Sequence, residues 1–140
     1  MGNYRDIARE QLKIDEGIVP YAYPDSEGYW TIGVGRLIDK RKGGGLSPYE
    51  INVLLENDMV RNETAAKVFF PGFDSLTDER KAVLLNMAHI FRDGLSAFKK
   101  LKAALEAGNY AAAAAEMRNS KWYTQAPKRV ERLAAKMEKG

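Results

Sequence analysis

The chain of 140 residues contains no cysteine and a single histidine, His89. Without cysteine it can form no disulfide, thiol nucleophile or thiolate metal site. One histidine supplies neither a metal cluster nor a Ser-His-Asp set, and the motifs GxSxG and HExxH are both missing. Several large classes of enzyme are thereby excluded, and we expect no metal and no cofactor.

The sequence also has no apolar run of about 18 residues, the minimum for a membrane-spanning helix. Its N-terminal residues contain no apolar segment typical of a secretory signal peptide. Asp6 occupies the position where a myristoylation signal has Ser or Thr. We therefore expect synthesis in a cytoplasm, no signal peptide and no stable membrane association.

Glycine-rich stretches are present, but they do not have the spacing of a nucleotide site. Gly43–Gly45 lacks the lysine and Ser/Thr of a phosphate loop, and Gly33-x-Gly35 lacks the third glycine of a dinucleotide fingerprint. The net charge is +3, and lysines and arginines are concentrated between Lys121 and Lys139. Such a distribution indicates either solvated helix faces or attraction to a polyanion such as a bacterial wall or nucleic acid.

The periodicity of apolar residues predicts an α+β fold. A first helix runs from an Asn3 cap to about Asp15, and the alternating run Tyr21–Gly35 predicts a small hairpin or sheet. Ser47-Pro48-Tyr49-Glu50 is a capping box with proline at the first helical position, so a long helix should follow to about Phe69. The rest of the chain is predicted to be helical.

Three helices can be placed in that part of the chain from their caps and stops. The first is capped by Thr77 and ends near residues 93–94, the second runs from about Ser96 to Gly108, and the third is capped by Asn109.

We predict a single domain over residues 1–140, made of two lobes. The small sheet lobe covers residues 13–58 and includes the start of the long helix. The all-α lobe covers residues 1–12 and 59–140. Since no Pro/Gly/Ser linker interrupts the sequence, the long helix is expected to join the lobes.

Three polar residues stand out in the stretch Leu12–Leu37. Glu16 is followed by a glycine suited to ending a helix, Asp25 lies in the turn-forming PDSEG segment, and Thr31 opens the alternating run TIGVG. Taken singly, each has an ordinary structural explanation as a helix end, a turn former or a strand residue. Together, two carboxylates on different elements with a hydroxyl nearby suit hydrolysis of an acetal, in which one acid stays protonated and the other ionised.

The spacing of E-G, Y-x-D-x-E-G and T-I-G-x-G resembles the T-even branch of the phage-type lysozymes, glycoside hydrolase family 24. The resemblance returns at Asn86-Met87 and in Ser120–Arg129, so it spans most of the chain. It implies a two-lobed α+β lysozyme fold. It also implies a muramidase that cleaves the β-1,4 bond between N-acetylmuramic acid and N-acetylglucosamine in the glycan strands of peptidoglycan.

Carried over by position, the resemblance makes Glu16 the general acid, Asp25 the base that activates water, and Thr31 the residue that helps to hold this water. The family inverts the anomeric centre, which needs carboxyl groups about 6.5–9.5 Å apart. Leu37, His89 and Glu116 align with positions that contact sugar, but His89 and Glu116 replace a phenylalanine and an asparagine. Glu27 and Lys121 align with residues that face each other across the family's cleft.

The resemblance also suggests an ion pair between Arg36, which stands where these enzymes have histidine, and Asp58. Family behaviour implies a monomer that reaches the wall through a membrane lesion made by a partner such as a holin. Two rival classes remain, a non-catalytic wall-binding module and a basic nucleic-acid binder. The first conflicts with retention of all three catalytic positions, and the second lacks a recognisable nucleic-acid motif, so we expect no nucleic-acid partner. Among enzymes, a chitinase-like specificity is the nearest alternative.

Overall fold

A computed structural model describes residues 2–140 and confirms the α+β class, with seven α-helices and three strands in that range. None of these helices combines the length and the apolar character needed to cross a membrane. The elements are α1 Tyr4–Glu16, β1 Val19–Pro24, β2 Trp30–Gly33, β3 Arg36–Leu37, α2 Pro48–Phe69, α3 Asp78–Phe91, α4 Lys99–Glu106, α5 Tyr110–Arg118, α6 Lys121–Gln125 and α7 Pro127–Lys139.

The chain divides into two compact units, and the division falls within α2, between Val53 and Leu54. The first unit contains α1, the sheet and the start of α2, and the second contains the rest of α2 and helices α3 to α7. This division differs from the predicted lobes in grouping residues 2–12 with the sheet. The assignment of those residues to the helical lobe stays a prediction.

The sheet is a three-stranded antiparallel meander in the order β1-β2-β3. Its centre is Thr31, which pairs with Tyr23 on one side and with Leu37 on the other. Val34 and Gly35 form the turn between β2 and β3, and an irregularity in register interrupts β1 between Val19 and Tyr23. This register places Thr31 on the central strand, between β1 and β3.

The helix starts follow the capping chemistry read from the sequence. Asn3 accepts hydrogen bonds from the amides of residues 5 and 6, and the Ser47–Glu50 box is formed in both directions, at 3.2 Å and 2.9 Å. Thr77 and Asn109 cap α3 and α5 through their side-chain oxygens. These caps satisfy amide groups that a helix N-terminus leaves without internal partners.

The prediction was wrong in detail between α3 and α4. The helix predicted to end near residues 93–94 ends at Phe91, and the next begins at Lys99 instead of Ser96. A 3-10 segment, Arg92–Ala97, fills the gap. Arg92 has φ 50° and ψ −120°, a conformation that stops an α-helix and is costly for a residue with a side chain.

The hydrophobic core of the described residues belongs entirely to the second unit. Its members are contributed by α2 to α7 and by the loops between them, whereas Thr31 is the one fully buried residue among residues 2–53. Leu84, Met87, Met117 and Met137 have no exposed surface. The ring of Phe91 packs edge-on against those of Phe98 and Trp122, with ring centroids 5.0 Å and 5.2 Å apart. Trp122 belongs to this core, and the two phenylalanines pack against it.

Candidate active site

Glu16 is the last residue of α1, and the chain turns away at Gly17. Gly17 has φ +77°, and its amide donates to the Lys13 carbonyl at 3.0 Å, which closes the final helical turn. The positive φ matches the glycine that the sequence places there. The end of the Glu16 side chain lies against Gly35 in the β2–β3 turn, so the helix end and the sheet together fix its surroundings.

Asp25 organises the turn between β1 and β2 through one of its two carboxylate oxygens. Oδ1 accepts hydrogen bonds from the backbone amides of Glu27 at 2.9 Å and Tyr29 at 2.8 Å. Among the hydrogen bonds within residues 2–140, none engages Oδ2. The side chain is therefore oriented by its own turn while one oxygen remains open to another donor.

Thr31 is brought close to Asp25 by a shared acceptor, the backbone carbonyl of Tyr29. The Thr31 hydroxyl donates to that oxygen at 3.0 Å, and the Asp25 amide donates to it at 2.8 Å. Thr31 is only 3% exposed. With its proton committed to Tyr29, its hydroxyl oxygen can only accept a further hydrogen bond.

Leu37 and Glu27 belong to the same unit as the three central residues. Leu37 is half-buried on β3 and pairs with Thr31 across the sheet. Glu27 is exposed in the Asp25 turn, with Lys42 Nζ 3.7 Å from its carboxylate. Lys121 begins α6 in the second unit, and the predicted contact between it and Glu27 stays a prediction.

His89 and Glu116 lie in the second unit, where their surroundings are polar. The side-chain amide of buried Asn62 forms a hydrogen bond of 3.0 Å with His89 Nδ1, and the tautomer of the ring sets the direction of that bond. Glu116 is half-buried on α5 and lines a cavity of about 370 Å³ together with Lys99 and Lys100. Their roles as sugar contacts stay predictions.

Two neighbours of these predicted residues were missed from the sequence. Asn62 shares the buried face of α2 with Ala66 and Phe69, and an amide at helical spacing among apolar residues was the available signal. Gly35 stands in the TIGVG run, where its glycine identity was noted but its contact with Glu16 was not. Such a contact joins residues far apart in sequence and has no local signature.

Arg36 has an ion-pair partner within the first unit. Its guanidinium lies 2.5 Å from the Glu50 carboxylate and donates to the Gly45 carbonyl at 3.2 Å. Asp58 pairs with Arg61, three residues further along the same helix. Glu50 is also held at the start of α2 by the Ser47 amide. The predicted pair between Arg36 and Asp58 would join the two units and stays a prediction.

The arrangement contains carboxylates, a hydroxyl and backbone amides, which suit acid–base chemistry. Within residues 2–140, no group of three or more histidines and carboxylates is placed to hold a metal ion. The first unit contains an oriented carboxylate at Asp25, a hydroxyl at Thr31 whose proton is already donated, and a second carboxylate at the end of α1, Glu16. These are the groups that general acid–base hydrolysis of a glycoside uses.

Comparison with known proteins identifies the family. A family model described as phage lysozyme matches residues 13–139. "Probable T4-type lysozyme 2" of Dictyostelium discoideum is 32% identical over 94% of both chains, and "Probable T4-type lysozyme 1" of the same organism is 27% identical over the same shares. The "Pre-baseplate central spike protein Gp5" of Enterobacteria phage T4 is 29% identical over 89% of this chain and 26% of that protein. The chain therefore belongs to the phage lysozyme family and is a glycoside hydrolase of the lysozyme type, which hydrolyses peptidoglycan.

Proposed function

We propose that the chain is a muramidase that hydrolyses the β-1,4 bond between N-acetylmuramic acid and N-acetylglucosamine with inversion at the anomeric carbon. The observation that carries the proposal is that the two carboxylate oxygens of Asp25 have different surroundings. One oxygen is fixed by two backbone amides, and the other accepts no hydrogen bond from the described residues. The Thr31 hydroxyl, which can only accept a further bond, donates to the same Tyr29 carbonyl as the Asp25 amide. A water molecule that donates its two protons to these acceptors keeps a lone pair free for attack.

In this mechanism Asp25 is the general base. It receives a proton from the water as the oxygen of that water bonds to the anomeric carbon. Thr31 acts as the second acceptor, which restricts how the water can rotate. Because the water is already oriented, the enzymatic reaction avoids part of the entropic cost of bringing water and substrate together in solution.

Glu16 is the general acid. It donates its proton to the glycosidic oxygen as the bond from that oxygen to the anomeric carbon breaks, so the leaving sugar departs as a neutral alcohol. The water oxygen enters from the face opposite the leaving group, and the product therefore has the inverted configuration. At the end Asp25 holds the proton of the water and Glu16 is ionised, and exchange with solvent restores both.

The direct test is the anomer produced from a defined peptidoglycan oligosaccharide, followed by NMR during the first turnovers. We expect an α-anomeric product from the β-linked substrate, and an initial β-product would overturn inversion. Glu16→Gln should lose at least 10³-fold in kcat with an unchanged fold by circular dichroism. Full activity of that variant would remove Glu16 from the acid role.

The same experiment addresses the chitinase-like alternative. A muramidase should cleave the alternating muramic acid–glucosamine oligosaccharide and leave a chitin oligosaccharide of equal length largely intact. Faster cleavage of the chitin oligosaccharide would favour the alternative specificity. A wall-binding module without activity would bind peptidoglycan but release no product from either substrate. A nucleic-acid binder would instead bind DNA, with an affinity that falls as the salt concentration rises.

Access to the wall is part of the proposal. The enzyme is proposed to act as a monomer on the wall after a partner such as a holin has opened the membrane, which is the behaviour that family membership suggests. Purified enzyme should lyse bacteria whose outer membrane has been permeabilised and spare untreated cells. Lysis of intact cells at the same rate would contradict this route.

A further inference from the structure

Gly35 lies in the turn between β2 and β3, with its α-carbon facing the end of the Glu16 side chain. A β-carbon built at this position would stand 2.9 Å from Glu16 Cδ, 2.9 Å from Oε2 and 3.0 Å from Cγ. Ordinary contacts of a β-carbon begin at about 3.4 Å. The space taken by the carboxyl group of Glu16 is therefore the space that any other residue at 35 would occupy.

The close contact is with a carboxyl at the end of a flexible side chain. Such a group can move without disturbing the backbone, so a methyl group at this position would displace the carboxyl instead of unfolding the turn. Restoring an ordinary contact distance requires a shift of about 0.5–1 Å. A misplacement of about 1 Å is enough to cost roughly 10²-fold in rate, because proton transfer depends on the donor lying within hydrogen-bond reach.

Gly33, two residues earlier, has a similar backbone conformation to Gly35 but no contact of this kind, so the two positions can be compared. Both glycines have positive φ, +71° at Gly33 and +64° at Gly35, so alanine is strained at either position. A β-carbon at Gly33, however, meets no atom within 4 Å. The two positions therefore share the conformational cost, and only Gly35 faces the carboxyl group.

We propose that Gly35 is a positioning residue for the acid: the absence of its side chain leaves the volume in which the Glu16 carboxyl must stand to protonate the leaving oxygen. The inference rests on the proposed role of Glu16 as general acid. It adds a requirement at a residue that takes no part in the chemistry itself. It also gives the second glycine of the TIGVG run a task that turn geometry alone does not explain.

The test compares Gly35→Ala with Gly33→Ala as the matched control. The two variants should show similar decreases in Tm, since each places alanine at positive φ. Gly35→Ala should lose about 10²-fold in kcat relative to Gly33→Ala, with KM the same for both. An equal kcat in the two variants would overturn the inference.

A second substrate distinguishes displacement of the acid from general damage to the site. An aryl glycoside with a nitrophenolate leaving group does not need protonation of the leaving oxygen. On this substrate the deficit of Gly35→Ala relative to Gly33→Ala should shrink to less than tenfold. A deficit that stays at about 10²-fold on the aryl glycoside would show that something other than the acid has been disturbed, and the inference would fall.

The failure of this inference can be told apart from the failure of the proposed function. If Glu16→Gln is fully active, Glu16 is not the general acid and the proposed mechanism fails. If Glu16→Gln is inactive but Gly35→Ala has the same kcat as Gly33→Ala, only the proposed role of Gly35 fails. If Gly35→Ala lowers Tm far more than Gly33→Ala does, the excess should vanish in a Glu16→Ala background, because truncation removes the contact. An excess that persists there would also overturn the inference.

Discussion

Asp25 holds its turn and carries a proposed catalytic role with the same side chain. Its Oδ1 accepts from two backbone amides, so removal of the whole carboxylate would disturb structure and chemistry at once. An asparagine keeps an oxygen able to accept both bonds but loses the charge and the second acceptor. The two functions of this residue can therefore be separated by one conservative substitution.

We predict that Asp25→Asn lowers kcat by at least 10³-fold and leaves stability within about 0.5 kcal/mol of the parent, since the turn retains its hydrogen bonds. Asp25→Ala should be equally inactive and less stable by about 1–2 kcal/mol, because two amides lose their acceptor. Activity assays and urea unfolding measure the two effects. Equal stability of the two variants would show that the turn does not depend on Oδ1.

Ion pairing at the start of α2 gives a prediction about pH. The Ser47 amide and then the Arg36 guanidinium lower the pKa of Glu50 from its ordinary value. A lowered pKa in the folded state means that the stabilisation is complete above the ordinary glutamate pKa and is lost as the pH falls through the lowered one. Arg36→Met should raise the pKa of Glu50 only part of the way, since the Ser47 amide remains, and NMR titration of the carboxyl carbon measures it.

Arg41→Met provides the control for that titration. Arg41 donates to Asp39 and lowers the pKa of that carboxyl to about 2. Its removal should raise the Asp39 pKa toward 3.8, the ordinary value, and leave that of Glu50 in place. If Arg41→Met raised the pKa of Glu50 as much as Arg36→Met does, the shift would come from the change in net charge and not from loss of the Arg36 contact.

At the scale of single elements, α2 depends on its capping box for a defined start. The hydroxyl of Ser47 accepts from the Glu50 amide at 3.2 Å, and no residue of the first turn offers a substitute side-chain acceptor for that amide. We predict that Ser47→Ala costs about 1 kcal/mol of unfolding free energy, whereas Ser47→Thr, which keeps the hydroxyl, costs much less. Chemical denaturation measures both, and equal losses would show that the cap contributes nothing.

Element starts were predictable because capping is local. Asn3, Ser47, Thr77 and Asn109 each bond to an amide two or three residues away, and all four starts were read from the sequence. The break at Arg92 was not, because a non-glycine residue at φ 50° is unfavourable and carries no local cue. Sequence patterns therefore predict the starts of these helices better than the end of a helix that is set by an unfavourable backbone conformation.

The candidate site shows the same distinction between local and distant contacts. The Asp25 turn and the Thr31 strand could be predicted, since Pro, Asp and Gly favour a turn and alternation favours a strand. The partners Asn62 of His89 and Glu50 of Arg36 were missed, because each lies on an element distant in sequence. Family resemblance supplied the roles of the site residues, and the geometry supplied their local partners.

At the scale of the whole molecule, buried apolar residues are distributed unequally between the two units. The core cluster begins at Ala66 and ends at Met137, while the first unit has Thr31 as its buried residue within the described range. Burial of apolar surface is the main favourable term in folding. The sheet should therefore open at a lower free energy than the helices of the second unit.

We predict that native-state hydrogen exchange separates the two units: amides of β1 and β2 should exchange through openings of lower free energy than those of α3 and α5. Leu84→Ala, at a fully buried position of the core, should lower the free energy of opening in the second unit by about 2–5 kcal/mol. The sheet amides should keep their own value, because Leu84 belongs to the core of the second unit. A single free energy for all these amides, lowered together by Leu84→Ala, would instead mean that the chain unfolds as one cooperative unit and that the sheet has no opening reaction of its own.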